Sequence, residues 1–257
     1  ASYSKSFEKI KISGELGFLS NLYLRDEKFP EIFSNKRSFS GVQSRISINK
    51  ELANRQSIEF NYNSYNIFPS LEELRSVVQN SNPLFLNSGN PDLKSSYHQL
   101  SEIKYTYYTN KGSIFIAQLS GSNTINGLAT KRKYFTDDTY IEKYHYTFPK
   151  GSTLNSSVNI DGIWGSKFVL SYSMNIPEIN SILSVAAGHE YQNTPFFLNE
   201  TRYNQTNSRF NIDINYKSNF SRKFNFSIFS YFKTGIISAR NINSSNYFNE
   251  QLILDSR

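Results

Sequence analysis

The stretch Ile10-Lys11-Ile12-Ser13-Gly14-Glu15-Leu16-Gly17-Phe18-Leu19-Ser20-Asn21-Leu22-Tyr23-Leu24 decides the fold. Its even positions are Ile10, Ile12, Gly14, Leu16, Phe18, Ser20, Leu22 and Leu24, while Lys11, Ser13, Glu15 and Asn21 fall on odd positions. Successive side chains of a strand point to opposite faces, so an apolar–polar alternation of this length reads as a strand with one oily face. The same alternation recurs at Val42, Ile46 and Ile48, at Ile58, Phe60 and Tyr62, and at Ile103, Tyr105 and Tyr107. It returns at Phe210, Ile212, Ile214 and Tyr216, and again at Phe224, Phe226, Ile228 and Phe232. The longest run covers residues 158–176, with Val158, Ile160, Trp164, Phe168, Leu170, Tyr172, Met174 and Ile176 on one parity. Read as one strand at about 3.3 Å per residue, it would exceed roughly 60 Å. Ordinary soluble strands are far shorter.

We expect about ten strands, over residues 10–24, 38–49, 55–66, 97–108, 113–124, 152–176, 181–192, 203–216, 222–236 and 245–257. A helical spacing shows only at residues 70–78. Between the strands, short polar turns fall at 50–54, 109–112, 177–180 and 217–222. Longer connections fall at 25–37, 67–96, 125–151, 193–202 and 237–244. Short and long alternate throughout, as in transmembrane barrels with tight periplasmic turns and long extracellular loops. The expected fold is therefore all-β, an antiparallel transmembrane β-barrel, with residues 1–257 forming a single barrel segment.

Composition agrees with this reading. Among the 257 residues are 18 Tyr, 21 Phe and one Trp, and there is no Cys. Mean hydropathy is −0.52, and no run approaches the roughly 18 apolar residues of a membrane helix. A barrel strand escapes that test, because only every second side chain meets lipid. The absence of Cys excludes a disulfide framework and thiolate metal sites. The net charge of +7 comes from 28 basic residues scattered among 21 acidic ones, with one tight run at Lys131-Arg132-Lys133. Such a dispersed excess is a solvated face, and we expect no nucleic-acid partner.

The segment around residues 69–97 carries a resemblance. Pro69-Ser70-Leu71-Glu72-Glu73-Leu74-Arg75 leads through Asn82-Pro83 to Gly89-Asn90-Pro91-Asp92-Leu93-Lys94 and then Tyr97. This resembles the outer-membrane β-barrel family of Bacteroidota that is related to TonB-dependent receptors. In that family a strand enters a loop with Pro-Ser, a helical turn, Asn-Pro and then Gly-Asn-Pro-Asn/Asp-Leu-Lys. The family pattern continues with Pro-Glu, where this chain has Ser95 and Ser96. The resemblance implies an outer-membrane location, ligand uptake, a TonB-type energy-coupling protein and a surface lipoprotein as partners, and an unknown extracellular ligand. It also implies a larger barrel of about 22 strands, of which this chain would be a later portion without its plug and N-terminal domains. A complete ten-strand barrel is the alternative. The motif itself has two readings, a structural collar at the strand ends or a ligand-contacting loop. Pro83 and Pro91 fix φ, and Gly89 is expected at a positive-φ position.

Aromatic residues on the apolar parity, Tyr62, Trp164, Tyr172, Tyr216 and Phe232, are expected to face outer-membrane lipid, some in interfacial girdles. In the connections, Phe29, Phe33, Tyr134, Tyr140, Tyr144, Tyr146, Phe196 and Phe197 are candidates either for ligand stacking or for packing on one another. We expect no enzyme, no cofactor and no metal. His98, His145 and His189 have no metal-pair spacing, and Asp137, Asp138 and Glu142 lack a Gly-centred cation loop. Two other classes stay open beside uptake. One is a structural or secretion-associated barrel subunit, and the other a barrel-rim enzyme that would need Ser, Asp and His brought together.

Overall fold

The computed structural model describes residues 2–27, 33–221, 224–239 and 242–256. Eleven strands form one antiparallel wall. In hydrogen-bonded order they are β1 (Ser2–Phe7), β2 (Ile10–Glu27), β3 (Phe33–Ala53), β4 (Gln56–Ile67), β6 (Ser96–Tyr108), β7 (Ile114–Ile125), β12 (Ile163–Ile176), β13 (Ser181–Leu198), β14 (Thr201–Ser221), β15 (Phe224–Ala239) and β16 (Ile242–Ser256). Five shorter strands lie at one end: β5 (Phe85–Ser88), β8 (Gly127–Tyr134), β9 (Thr139–Ile141), β10 (Tyr146–Phe148) and β11 (Thr153–Ile160). Among the described residues, β1 and β16 are each paired on one side only.

Register turns the sequence alternation into two chemically distinct faces, because directly paired residues share a face. One row crosses ten strands through Ile12, Ile48, Phe60, Ile103, Leu119, Phe168, His189, Phe210, Thr234 and Phe248. The row one residue away reads Ser13, Ser47, Asn61, Glu102, Ser120, Lys167, Glu190, Arg209, Gly235 and Tyr247. A slip of one residue in any strand would put these sets on the wrong sides. Large side chains on the apolar face stand exposed, Phe18 at 71% and Leu119 at 53%. Two steps further along that face toward the long loops, the row becomes Ser44, Ser64, Gln99, Asn123, Trp164, Asn193 and Thr206. From β4 to β14 that row is polar apart from Trp164, whose ring is tilted against Tyr191 with centroids 5.0 Å apart, while on β2 and β3 exposed apolar side chains continue beyond it through Phe18, Val42, Leu22 and Leu24.

Several expectations need correction. Residues 152–176 are two strands, not one, because Asp161-Gly162 breaks the run with Gly162 at φ +96. The facing strand breaks at Asn126, at φ +50, and the Asn126 amide donates to Asp161 Oδ1 at 2.7 Å. Pairing resumes without slip: Thr124 faces Ile163 on one side of the bend, and Gly127 faces Ile160 on the other. Parity survives the bend, which is why the alternation concealed it. The fourth long connection, 193–202, is instead the end of a continuous hairpin closed by Asn199-Glu200, at φ +46 and +66. Two consecutive positive-φ residues give the turn that matches strand twist. Short and long connections therefore do not alternate without exception. Likewise β2 and β3 run through most of 25–37, and β15 and β16 through most of 237–244. β1 was not anticipated, since Ser2–Phe7 offers only Tyr3 and Phe7 around Lys5. The helical spacing at 70–78 yields one turn, Leu74 N to Ser70 O at 3.1 Å, locked by Ser70 and Glu73 in a reciprocal cap. Beyond it the backbone is committed elsewhere, with Gln79 bridged antiparallel to Asn87.

Candidate functional site: a cap over one end of the wall

Chemistry concentrates where the long connections meet. β8 and β11 continue the β7–β12 pair past the bend, and β5 adds to β11 in parallel, matching Leu86 to Leu154. The free edge of β8 receives the tip of β13, where Phe197 and Leu198 pair with Lys131 and Arg132. The turn residues complete the clasp. Asn199 N donates to Arg132 O at 2.9 Å, and Tyr134 N donates to Asn199 Oδ1 at 2.8 Å. Lys131 also meets Glu200.

This small sheet has its own core, unlike the wall below it. Leu86, Phe135, Phe148 and Leu154 are buried together, with Val78, Ile141, Tyr144 and Tyr146 packed around them. Phe135 and Phe148 stack at 4.6 Å, while Tyr144 and Tyr146 meet Phe148 edge-on at 5.8 and 5.1 Å. A second cluster, Phe39, Leu74 and Leu93 with Tyr23, Phe68 and Leu128, ties the cap to the wall. Tyr23 and Phe39 share the parity of Glu15 and Gln43. The loop 68–95 thus lies on the polar face of β2 and β3.

The motif that carries the resemblance is the strut between these clusters. Asn82 Oδ1 accepts Leu84 N at 3.0 Å beside Pro83. Asn90 N donates to Glu73 O at 2.6 Å, its Nδ2 to Ser157 O at 3.2 Å, and its Oδ1 accepts from Asp92 N after Pro91. Leu93 is fully buried, and its carbonyl accepts from the Arg37 guanidinium at 2.8 Å. Lys94 is gripped by Asn159, whose Oδ1 accepts Lys94 N at 2.7 Å and whose Nδ2 donates to Lys94 O at 3.0 Å. Gly89 does not take the expected positive φ. A Cβ there would lie 2.4–2.6 Å from the carbonyl oxygens of Arg75, Glu73 and Glu72. Close backbone approach, not backbone handedness, requires glycine. Asn159, Asn199 and Glu200 escaped the sequence reading, because polar residues in an alternating strand or turn give no sign of tertiary partners.

The candidate aromatic residues separate into groups. Tyr134 and Tyr140 are half-exposed or more, at 50% and 60%. Tyr144 and Tyr146 are engaged with Phe148. Phe196 stacks on Tyr203 at 5.7 Å, and Phe197 sits in the β13 clasp against β8. Phe29 and the side chain of Phe33 lie outside the described residues. A cavity of about 310 Å³ opens between the 72–79 segment and the cap sheet, lined by Glu72, Arg75, Gln79, Asn87, Thr130 and Asn155 among others.

The three His residues have separate surroundings. His98 Nδ1 is 2.9 Å from Thr124 Oγ1, and His189 Nε2 is 2.9 Å from Ser208 Oγ on the apolar parity, its ring against Phe210. His145 closes the 3₁₀ turn Glu142–Tyr144 in left-handed conformation. Asp138 is spent on the Lys150 amide at 2.7 Å. Among the described residues, no three His, Asp or Glu groups converge on a metal position.

The polar face below the cap is a ladder of paired groups. Arg45 bridges Glu15 at 3.6 Å and donates to Asn63 at 3.0 Å, Gln118 donates to Glu102 at 2.7 Å, and Arg209 pairs with Glu190. A wall that is oily on one side and hydrated on the other, with long loops at one end, needs lipid outside and water inside. None of the curated proteins matches the chain. A family model described as "Outer membrane protein beta-barrel family" matches residues 21–254. The chain belongs to that family, and its place is the outer membrane.

Proposed function

We propose that this protein recognises a ligand at the cell surface and takes it across the outer membrane, as a barrel of the TonB-dependent receptor type. One observation carries the reading: the cap is a built scaffold with its own core, held over the polar face from two sides. The 68–95 loop anchors it on β2 and β3, and the β13–β14 tip anchors it on β8. Binding residues are commonly held on loops by a rigid support, and this cap presents Tyr134 and Tyr140 to solvent and holds a separate cavity lined by Glu72, Arg75, Gln79 and Asn87. The resemblance of residues 69–97 to the Bacteroidota family supports the same reading. The energised step would require a TonB-type coupling protein, and a surface lipoprotein is the further partner that the resemblance implies. Transport is tested in cells with and without the intact gene, using labelled ferric chelates, oligosaccharides and peptides. Uptake that needs the gene and stops when a protonophore collapses the proton gradient is the expected result. Gene-independent uptake of every probe would favour a structural barrel subunit.

A further inference from the structure

The face of the cap turned toward segment 135–152 carries charge that the cap's packing does not use. Lys131 and Lys133 on β8 share this face with Leu154, Ser156 and Val158 on β11. Segment 135–152 folds over it, and the 3₁₀ turn Glu142–Tyr144 brings Lys143 to the same place. Together Lys131, Lys133, Lys143, Tyr144 and Ser156 are among the residues that line a cavity of about 260 Å³. Three ammonium groups stand here against one carboxylate, Glu200, which is engaged with Lys131. Lys133 and Lys143 lean on ring faces instead, their Nζ atoms 5.4 Å from the Phe135 centroid and 5.8 Å from that of Tyr144. Neither has a carboxylate partner among the described residues. The contrast with the wall is direct, since Arg45 and Arg209 there each have an acid.

We propose that this cavity binds an oxyanion: a phosphate, sulfate or carboxylate group presented by a small ligand or by a lipid headgroup. The uncompensated ammonium groups supply the charge, and the Ser156 hydroxyl adds a neutral donor. Ile141, Tyr144, Leu154 and Val158 in its lining reduce water contact, and Coulomb attraction strengthens as effective dielectric falls. Size sets the class. The volume is just below the roughly 300 Å³ at which small-molecule pockets begin, so it holds one anionic group and its nearest attachment. Lysines suit this role as flexible point charges. The inference stands on the cap geometry alone and does not depend on transport.

Site-resolved lysine acylation, read by mass spectrometry on the intact protein in detergent micelles, tests it at constant ionic strength. The soluble probe is inorganic pyrophosphate. The lipid probe is vesicles of phosphatidylethanolamine and lipopolysaccharide. Acylation of Lys133 and Lys143 is expected to fall about threefold or more as pyrophosphate saturates the site. Lys111, in the turn at the opposite end, is expected to hold its reactivity. Stronger protection by the vesicles than by pyrophosphate would assign the anion to lipid headgroups, and the reverse to a soluble ligand. Protection of Lys133 and Lys143 no greater than that of Lys111 with both probes overturns the proposal. A second measurement guards against general screening. Lys133→Gln, checked for native heat-modifiable migration, should raise the half-protecting pyrophosphate concentration at Lys143 about tenfold, the equivalent of one charged hydrogen bond. An unshifted titration contradicts the site.

Discussion

The wall and the cap are built from one chain by opposite uses of the same apolar residues. In the wall, Phe18, Leu119 and Phe168 stand at 71, 53 and 43% exposure in the absence of lipid, and their burial is left to the bilayer. In the cap, Leu86, Leu93 and Phe148 are fully buried by protein alone. Wall stability therefore depends on parity and on solvent, while cap stability depends on jigsaw packing, as in a soluble core. The lesson is that a membrane barrel can carry at its rim a small domain obeying different rules. Substitutions should fail in different ways on the two sides of the bend at Asn126 and Asp161-Gly162.

The largest expected effect tests the cap. Phe148→Ala removes the ring on which Phe135 stacks and against which Tyr144 and Tyr146 pack. It should cost the cap about 3–5 kcal/mol. Hydrogen exchange is expected to accelerate at β5, β8 and β11 while β12 and β13 keep their protection. Acceleration spread evenly through the wall would erase the distinction between the two regions.

Next comes the wall. Phe168→Arg puts a charge on the apolar face, at a cost of about 2–4 kcal/mol if near the bilayer midplane. Lys167→Ser, one residue away on the polar face, should change stability by less than about 1 kcal/mol. Unfolding from liposomes followed by Trp164 fluorescence measures both. Equal costs would mean that the faces are not distinguished by lipid.

Gly89→Ala sharpens the strut. The added methyl meets three backbone carbonyls that cannot swing aside, and overpacking of this kind costs about 1–3 kcal/mol. Limited proteolysis should open residues 68–95 first, and cleavage no faster than in the parent protein would show that the loop has room. The smallest effect is at the clasp. Glu200→Gln removes the partner of Lys131 in a pair whose side chains are 29 and 62% exposed. A pair so exposed contributes about 0.2–1 kcal/mol and less at high salt. Exchange at Lys131 and Arg132 should rise slightly at low salt and converge with the parent in high salt.

How much was legible follows from the same division. Parity is written in the sequence, so the bounds of β2, β4, β6 and β7 are expected to within about three residues, while β13 and β14 run five or six residues beyond their expected ends. That Trp164, Phe168 and Tyr172 stand on one exposed face followed from that parity alone. What parity cannot show is a bend that preserves it, which is how Gly162 passed inside an apparently continuous strand. Nor can it show that 193–202 stays paired, because Phe196-Phe197 and Pro195 break the alternation while Tyr203 and Arg202 still pair across. The cap was the least legible part. Its order comes from contacts between residues about 65 apart in sequence, such as Asn159 with Lys94 and Tyr134 with Asn199. No local pattern encodes those. The 69–94 motif marked where the strut lies but not what Gly89 is for.

The central claim, an apolar face against lipid and a polar face against water, is tested most directly by a single-cysteine scan of β12. The chain has no cysteine of its own, so each introduced thiol reports alone. Spin labels at Lys167→Cys, Phe168→Cys, Val169→Cys and Leu170→Cys, in the intact protein reconstituted in bilayers, are probed with oxygen and with a water-soluble nickel chelate. The account predicts a period of two, with 168 and 170 open to oxygen and 167 and 169 open to the chelate. Labels that all report water, or accessibility without that period, would contradict a membrane-spanning wall.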